Sequence, residues 1–441
     1  MRLTRSFVAR CGMLAMSIAL LLAGAALAAN SEFVIYSFPF APNTIPAGCQ
    51  PQGNLTADAA GNFYGTASCG AYSHGVVFKL TRPVPPAKAW TESVLYSFTG
   101  GTDGNSPAAG VIFDAAGNLY GTTSAGGTAD RGTVFELTPP ASGQVDWTES
   151  ALYSFQGGTS DGDKPLAGLV IDAAGNLYGT TFQGGENDLG YCRVGCGTVF
   201  QLAPPSTIGG AWTETVIHYF FGGQGTAPTS APILDAAGDL YGTTISGGKF
   251  GAGLVYRLTP PPSGQTTWGY KVLHAFAGYP TDGDSPFNGL TLHGRGVLYG
   301  TTSYGGSGQF GTVYQLVPPA VPGGAWTENV LYNFNGDHVN PGDGSSPSGN
   351  LVFDPEGNLY GSTSEGGNYN ACVVGCGVVF ELSPPAAGVT TWTESILHTF
   401  TSGNDGSWPD GGVLFGKNGI LYGVSHTGGA HGEGTVFGVV K

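Results

Sequence analysis

The sequence predicts an all-β fold, a seven-bladed β-propeller with four antiparallel strands per blade and an N-terminal strand that closes the last blade. Three observations carry this. Three short phrases each recur seven times along the 441 residues. Each repeat holds four segments rich in β-branched and aromatic residues, and none has a helical period. The chain opens on a spare fourth-type segment and ends on a third-type one, so its two ends can complete one blade.

The first phrase, Asn118 to Thr123, places its Tyr at 64, 120, 178, 241, 299, 360 and 422. The second, Gly132 to Phe135, places its aromatic at 78, 135, 200, 256, 314, 380 and 437. The third, Trp90 to Phe98, places its Phe at 38, 98, 155, 220, 276, 334 and 400. Neighbouring copies lie 56 to 66 residues apart. Self-similarity at such a period marks a repeat architecture and overrides a domain count drawn from length.

Within one repeat, Gly110 to Asp114 is a short apolar run, and Ala115-Ala116-Gly117 is a tight turn. Asn118 to Thr123 is the second strand, and Ser124 to Gly127 opens a loop. Gly132 to Leu137 is the third strand. Pro139-Pro140 stops pairing, because proline has no amide to donate. Trp147 to Phe155 is the fourth strand. Four strands in each of seven units suit a propeller. Glu32 to Phe38 is the spare fourth strand, and pairing it with Gly434 to Phe437 removes the open edge. An open solenoid would leave both ends uncapped.

The unit resembles the GloVer tandem repeat of bacterial exported proteins, through phrases such as Asp172-Ala173-Ala174-Gly175-Asn176-Leu177-Tyr178-Gly179-Thr180-Thr181. Its strand grammar is also similar to NHL-type propellers, where such a hairpin joins the inner two strands. The resemblance covers nearly all of residues 29–441, which are expected to form one propeller domain. It implies an exported repeat protein, of a kind that often carries a surface anchor, and no settled activity. With the chain stopping at Lys441, a C-terminal anchor is expected to be missing.

Residues 1–28 read as a signal peptide. Arg2, Arg5 and Arg10 precede the apolar run Met13 to Leu22, and Ala26-Leu27-Ala28 fits a cleavage site. The alternative is a retained anchor, since Cys11 to Ser31 carries no charge. Cleavage leaves no apolar stretch of spanning length, and the protein is expected to be a secreted, periplasmic or cell-surface monomer. Net charge is −15 overall and −18 without the three leader arginines. With no basic patch to displace counterions from phosphates, nucleic acid is excluded as a partner. Only 10% of residues are charged, which excludes a coiled coil.

Cysteines beyond the leader number six: Cys49, Cys69, Cys192, Cys196, Cys372 and Cys376. An even count in an exported chain points to disulfides. In five repeats the loop glycine stands five residues before the third strand's Gly, but the gap is twelve from Gly185 to Gly197 and ten from Gly367 to Gly377. Both insertions carry Cys-x-x-x-Cys, so bridges Cys192–Cys196 and Cys372–Cys376 would restrain them. Cys49 and Cys69 remain for the first repeat. Zinc is the rival reading.

With four antiparallel strands, the fourth-to-first and second-to-third loops emerge on one face. There Asp103, Asp161, Asp282, Asp343 and Asp405 each stand four residues before a Pro. One reading is a turn, with Asp accepting from backbone amides and the next Gly free to take positive φ. The other is a ring of ligand-binding carboxylates for calcium or sugar hydroxyls. No EF-hand spacing, G-x-S-x-G elbow, H-E-x-x-H helix or phosphate loop is present. Tyr36, Tyr96, Tyr153, His218, His274, Tyr332 and His398 share one fourth-strand position, which suggests packing with a polar tip. His426, His431 and Glu433 cluster in one loop, either solvated or around a metal.

Repeated loops suit multivalent binding better than catalysis, which needs a few groups in unlike roles. The expectation is an exported, non-catalytic binding or scaffold protein for an extracellular glycan or surface protein, without a cofactor unless calcium. The alternative is a carbohydrate-active enzyme, a glycoside hydrolase or lyase, using carboxylates of the loop face. Any ligand is expected on that face, because the opposite turns are too short for a pocket.

Overall fold

The second strand of each repeat holds a Gly directly after its Tyr, and its neighbour, the third strand, places an aromatic ring opposite that Gly. In the second repeat Gly121 pairs directly with Phe135. A Cβ on Gly121 would lie 2.5 Å from Phe135 Cζ, so only glycine lets the ring lie flat on the strand. The same approach recurs at Gly65, Gly179, Gly242, Gly300, Gly361 and Gly423. The ring's other side meets the fourth-strand Phe of the preceding blade, edge to face. These pairs run from Phe38–Phe78 to Phe400–Phe437 with centroids 5.0–5.3 Å apart. All fourteen rings are essentially buried.

The computed structural model describes residues 32–441 apart from 41–47, 71, 187–191, 208, 322, 337–341, 387–388 and 390. Seven antiparallel sheets form the blades. Blade 2 shows the order: Ile112–Phe113, Leu119–Thr123, Thr133–Thr138 and Thr148–Ser154. Blade 7 takes four strands of its sheet, Ser407–Pro409, Leu414–Phe415, Ile420–Thr427 and Thr435–Val440, from the C-terminal part of the chain and its outer strand, Glu32–Ser37, from the start of the described chain. Glu32 pairs with Val439 and Ser37 with Thr435. Its bulge between Val34 and Tyr36 matches the bulge in the same strand pair of the other blades. Residues 1–28, expected to be a signal segment and including Cys11, lie outside the described residues. Among those described, no helix is long and apolar enough to cross a membrane.

One expectation needs correction. The first strand is shorter than the apolar run Gly110 to Asp114: in blade 2 the ladder holds only Ile112–Phe113, with a separate bridge upstream at Asn105 and Ala125, whereas blades 1 and 6 have one continuous strand, Cys49–Ala57 and Gly344–Phe353. The chain between bonds to neighbouring blades instead. A second-strand hydroxyl donates to a first-strand carbonyl of the next blade, as in Thr66 to Ala109, Thr122 to Ala167, Thr180 to Ser230, Thr243 to Asn288 and Ser362 to Gly411, at 2.7–3.1 Å. The first strands therefore stand around the axis.

The Asp-x-x-Gly-Asn-x-Tyr hairpin closes on itself. Asp114 Oδ1 accepts from the amides of Ala116 and Asn118, while Oδ2 accepts from the Asn118 side chain and the Tyr120 hydroxyl. Asp58 and Asp172 repeat the pattern. The phrase that marks the repeat is thus a structural turn.

Substituting Gly121→Ala is expected to cost about 1–3 kcal/mol by overpacking against Phe135. Gly223→Ala, where a Cβ meets nothing within 4 Å, is the neutral control. Urea unfolding of the two variants checks this.

Candidate functional site

The five loop aspartates follow the fourth-strand Phe and sit beneath the loop face. Asp103 Oδ2 accepts from the Thr99 amide at 2.7 Å and the Tyr96 hydroxyl at 3.1 Å, and Oδ1 accepts from the Thr99 hydroxyl and the Gly101 amide. Asp161 takes the amides of Gln156 and Gly162, and Asp282 those of Ala277 and Gly283. Asp343 takes the Asn335 amide and Asp405 the Thr401 amide and hydroxyl. Burial works against the Asp103 carboxylate, but the bonds from Thr99 and Tyr96 outweigh it and hold it below the usual range. All five therefore do the work of a turn.

The seven-membered Tyr/His position reaches these aspartates. Tyr96 bonds Asp103, Tyr153 bonds Asp161 at 3.0 Å, and Tyr332 bonds Asp343 at 3.2 Å. His274 and His398 approach Asp282 and Asp405 at 3.2 and 3.3 Å. The third partner is a glutamate at the start of the next blade's fourth strand, in a Trp-Thr-Glu phrase for all but Glu32, a residue that its own phrase does not single out. Glu149 faces Asp103, Glu214 faces Asp161, Glu328 faces Asp282, Glu394 faces Asp343 and Glu32 faces Asp405. Burial, reinforced by the aspartate charge, pushes Glu149 up to about 7, and Glu214 and Glu394 up to about 8. Each seam thus packs two carboxyl groups and a phenol or imidazole between blades.

The two remaining seams show that these residues belong together. Between blades 7 and 1 there is no loop aspartate, and Tyr36 donates to Glu92 at 2.9 Å instead. Between blades 3 and 4, Gln224 stands where the aspartate would be, and Trp268-Gly269-Tyr270 replaces Trp-Thr-Glu. There the Tyr270 ring stacks on His218 at 4.1 Å and its hydroxyl bonds the Gln224 carbonyl. Loss of the aspartate and loss of the glutamate in the same seam was the signal in the sequence.

Three donor atoms, on His274, Asp282 and Glu328, lie within 4.8 Å of one another and form a group able to take a cation. His426, His431 and Glu433 do not converge in this way. The six cysteines form the bridges Cys49–Cys69, Cys192–Cys196 and Cys372–Cys376. This removes zinc ligation by these thiols.

The loop face also gathers exposed rings. Phe40, Tyr72, Phe221, Phe250, Tyr279 and Tyr304 lie in its loops, and Phe287 and Trp408 at the starts of first strands. Phe33, on an outer strand, is the one other exposed aromatic among the described residues. The opposite face departs from expectation: it holds a cavity of about 400 Å³ lined by Asp172, Tyr178, Gln201, Pro260 and Trp268. The Pro-Pro segment and Trp of blade 4 build its wall beside the blade 3 hairpin, so short turns do not prevent a pocket where two blades meet. A larger cavity, about 660 Å³, runs along the axis between the first strands.

The model of the Gloeobacter/Verrucomicrobia repeat matches residues 27–192 and again 192–437. The chain belongs to this repeat family. Among curated proteins no sequence match is found. Among solved structures, an oxidoreductase (glucose dehydrogenase) from Thermus thermophilus is 17% identical with a TM-score of 0.38, over 76% of this chain and 96% of that one. The NanB sialidase from Streptococcus pneumoniae is 10% identical with a TM-score of 0.43, over 93% of this chain and 71% of that one.

In this member of the repeat family, the seam glutamates set a pH dependence. A carboxyl raised on folding contributes stability below its unfolded value near 4.5 that is lost as pH rises through its folded value. Thermal stability is therefore expected to fall between pH 5 and about 8, by roughly 1 kcal/mol per seam after allowing for solvent screening. Replacing Glu149, Glu214 and Glu394 together by Gln should flatten the dependence of Tm on pH over that range.

Proposed function

We propose that the protein is an exported, non-catalytic binding propeller whose loop-rich face takes a carbohydrate or another polyhydroxylated cell-surface ligand. The observation that carries this is the placement of the exposed rings: of the nine among the described residues, eight are on or beside one face. Exposed apolar groups gathered on one side mark a contact surface, and aromatic faces suit the C–H edges of sugar rings. That face also carries the longer and more varied loops, where binding residues usually lie.

In this reading Asp103, Asp161, Asp282, Asp343 and Asp405 hold the loops that present the rings and keep the face acidic. Such a surface favours neutral polyols over phosphate or sulfate polymers. The carboxyl pairs recur at five seams with equivalent partners and are packed between blades, so none is set apart as a single catalytic centre. Three disulfides agree with an oxidising compartment outside the cytoplasm.

The test is a glycan array with the mature protein and a Phe250→Ala, Tyr279→Ala, Tyr304→Ala variant. Array signals are expected to drop about tenfold or more, as when aromatic anchors are removed from an interface. A Val145→Ala variant on the opposite face should bind as the parent does. Array binding unaffected by the triple change would overturn the reading.

A further inference from the structure

One position of the repeat carries a different residue in every copy, and it faces the axis. Each first strand begins with a proline: Pro51, Pro107, Pro165, Pro228, Pro286, Pro347 and Pro409. The residue before each has φ between 51° and 57°, an uncommon conformation away from glycine. Its amide donates to a carbonyl of the preceding blade at 2.7–3.0 Å in all seven cases. The prolines pack on the third-strand glycine of that blade, as Pro165 does on Gly132. Seven equivalent clamps thus hold the next residue at one level of the channel. Those residues are Gln52, Ala108, Leu166, Thr229, Phe287, Ser348 and Asp410.

Around the ring the seven sort by chemistry. Ser348, Asp410 and Gln52 form one polar arc across blades 6, 7 and 1. Ala108 and Leu166 follow, then Thr229, then Phe287 beside Ser348. All but Ser348 line the axial cavity. Ser348 is small, and its hydroxyl is spent on the Pro409 carbonyl at 2.8 Å, which leaves room between Phe287 and Asp410. Phe287 is 51% exposed, with its carbonyl held by the Thr229 hydroxyl at 2.8 Å. Asp410 is the one ionisable residue among the described residues lining the cavity, and no lysine or arginine joins it there.

We propose that the loop-face mouth of the central channel binds a small amphipathic organic cation, its ammonium between the Asp410 carboxylate and the Phe287 ring and its apolar body on Ala108 and Leu166. A lone carboxylate in a low-dielectric mouth selects a positive charge. An aromatic face adds cation–π attraction. The apolar arc favours an organic ligand over a hydrated metal ion, which gains nothing from methyl groups. The volume is that of a small-molecule site. This site shares Phe287 with the ring-bearing face but lies at the axis, apart from the loops of Phe250, Tyr279 and Tyr304 that the glycan test changes.

The probe is phenethylamine, compared by calorimetry at neutral pH and low salt with its uncharged isostere 2-phenylethanol and with ethylamine. Phenethylamine is expected to bind in the millimolar range or tighter and at least about tenfold better than either comparison compound. Asp410→Asn should weaken it about tenfold. Phe287→Leu, which keeps an apolar side chain and removes the ring, should weaken it severalfold, and Asp146→Asn on the opposite face should change nothing. Both mutated channel side chains are open to solvent, and circular dichroism checks that each variant is folded. If Asp410→Asn fails to fold, Asp410→Ser serves as the charge-removing variant. Absent phenethylamine binding, equal binding of 2-phenylethanol, or affinity indifferent to the charge-removing variant and Phe287→Leu would each overturn the proposal.

Discussion

The ring of paired aromatics is the interaction on which the rest depends. Each third-strand ring lies on the bare glycine of its own blade's second strand and is struck edge-on by the Phe of the blade before it. One contact thus fixes strand spacing within a blade and the joint between blades. It is repeated at every seam, including the one that joins the two ends of the ring, where Phe38 meets Phe78. Edge-to-face pairs are directional as well as apolar, so the blades are held at a set angle and not merely pressed together. Thr66, Thr122 and their equivalents add a second tier nearer the axis, where hydroxyls rather than rings cross the joint.

The frame was legible because each of its phrases is a contact made seven times. Leu-Tyr-Gly is the ring's seat, the third-strand Gly and the first-strand Pro are two sides of one packing contact, and Asp-x-x-Gly-Asn is a closed turn. The closing strand was legible for the same reason, since Glu32 to Phe38 repeats a phrase whose place was already known from six other copies. Two disulfides followed from the loop insertions, and Cys49–Cys69 from being the pair that remained. What escaped were contacts between repeats that are unlike in sequence. Glu149 meets Asp103 across a blade boundary, and nothing in either phrase names the other. The split first strand escaped because its missing partners are in neighbouring blades, not in its own hairpin.

The exceptional seam explains why the carboxyl pair is a unit. A buried glutamate beside a buried aspartate is costly unless one carries a proton or a donor stands near. Where Gln224 replaces the aspartate, the phenol of Tyr270 fills the glutamate's place and stacks on a histidine that burial keeps near a pKa of 4. The substitution puts Gln224 and Tyr270 in place of the two acids, and Tyr270 stacks on the histidine of the shared Tyr/His position, so the joint stays filled while its charge disappears. The single seam without acids is therefore a repacked version of the others and not a gap in the ring.

Symmetry also decides where individuality can appear. A residue that touches the next blade must match the partner supplied by every copy, and this holds the rings, the glycines, the prolines and the seam acids to a narrow choice. At the axis Thr229 and Ser348 bond the next blade, but no such side-chain bond recurs in all seven copies. The clamp before it absorbs the strain of a left-handed residue, and the proline fixes the direction of the chain. The side chain that follows is consequently placed with the accuracy of the frame but freed from its chemistry. Seven different residues occupy that place, from Ala108 to Phe287 and Asp410. A repeat protein that makes all its joints alike can still build an unlike surface, and geometry puts that surface where the seven copies converge.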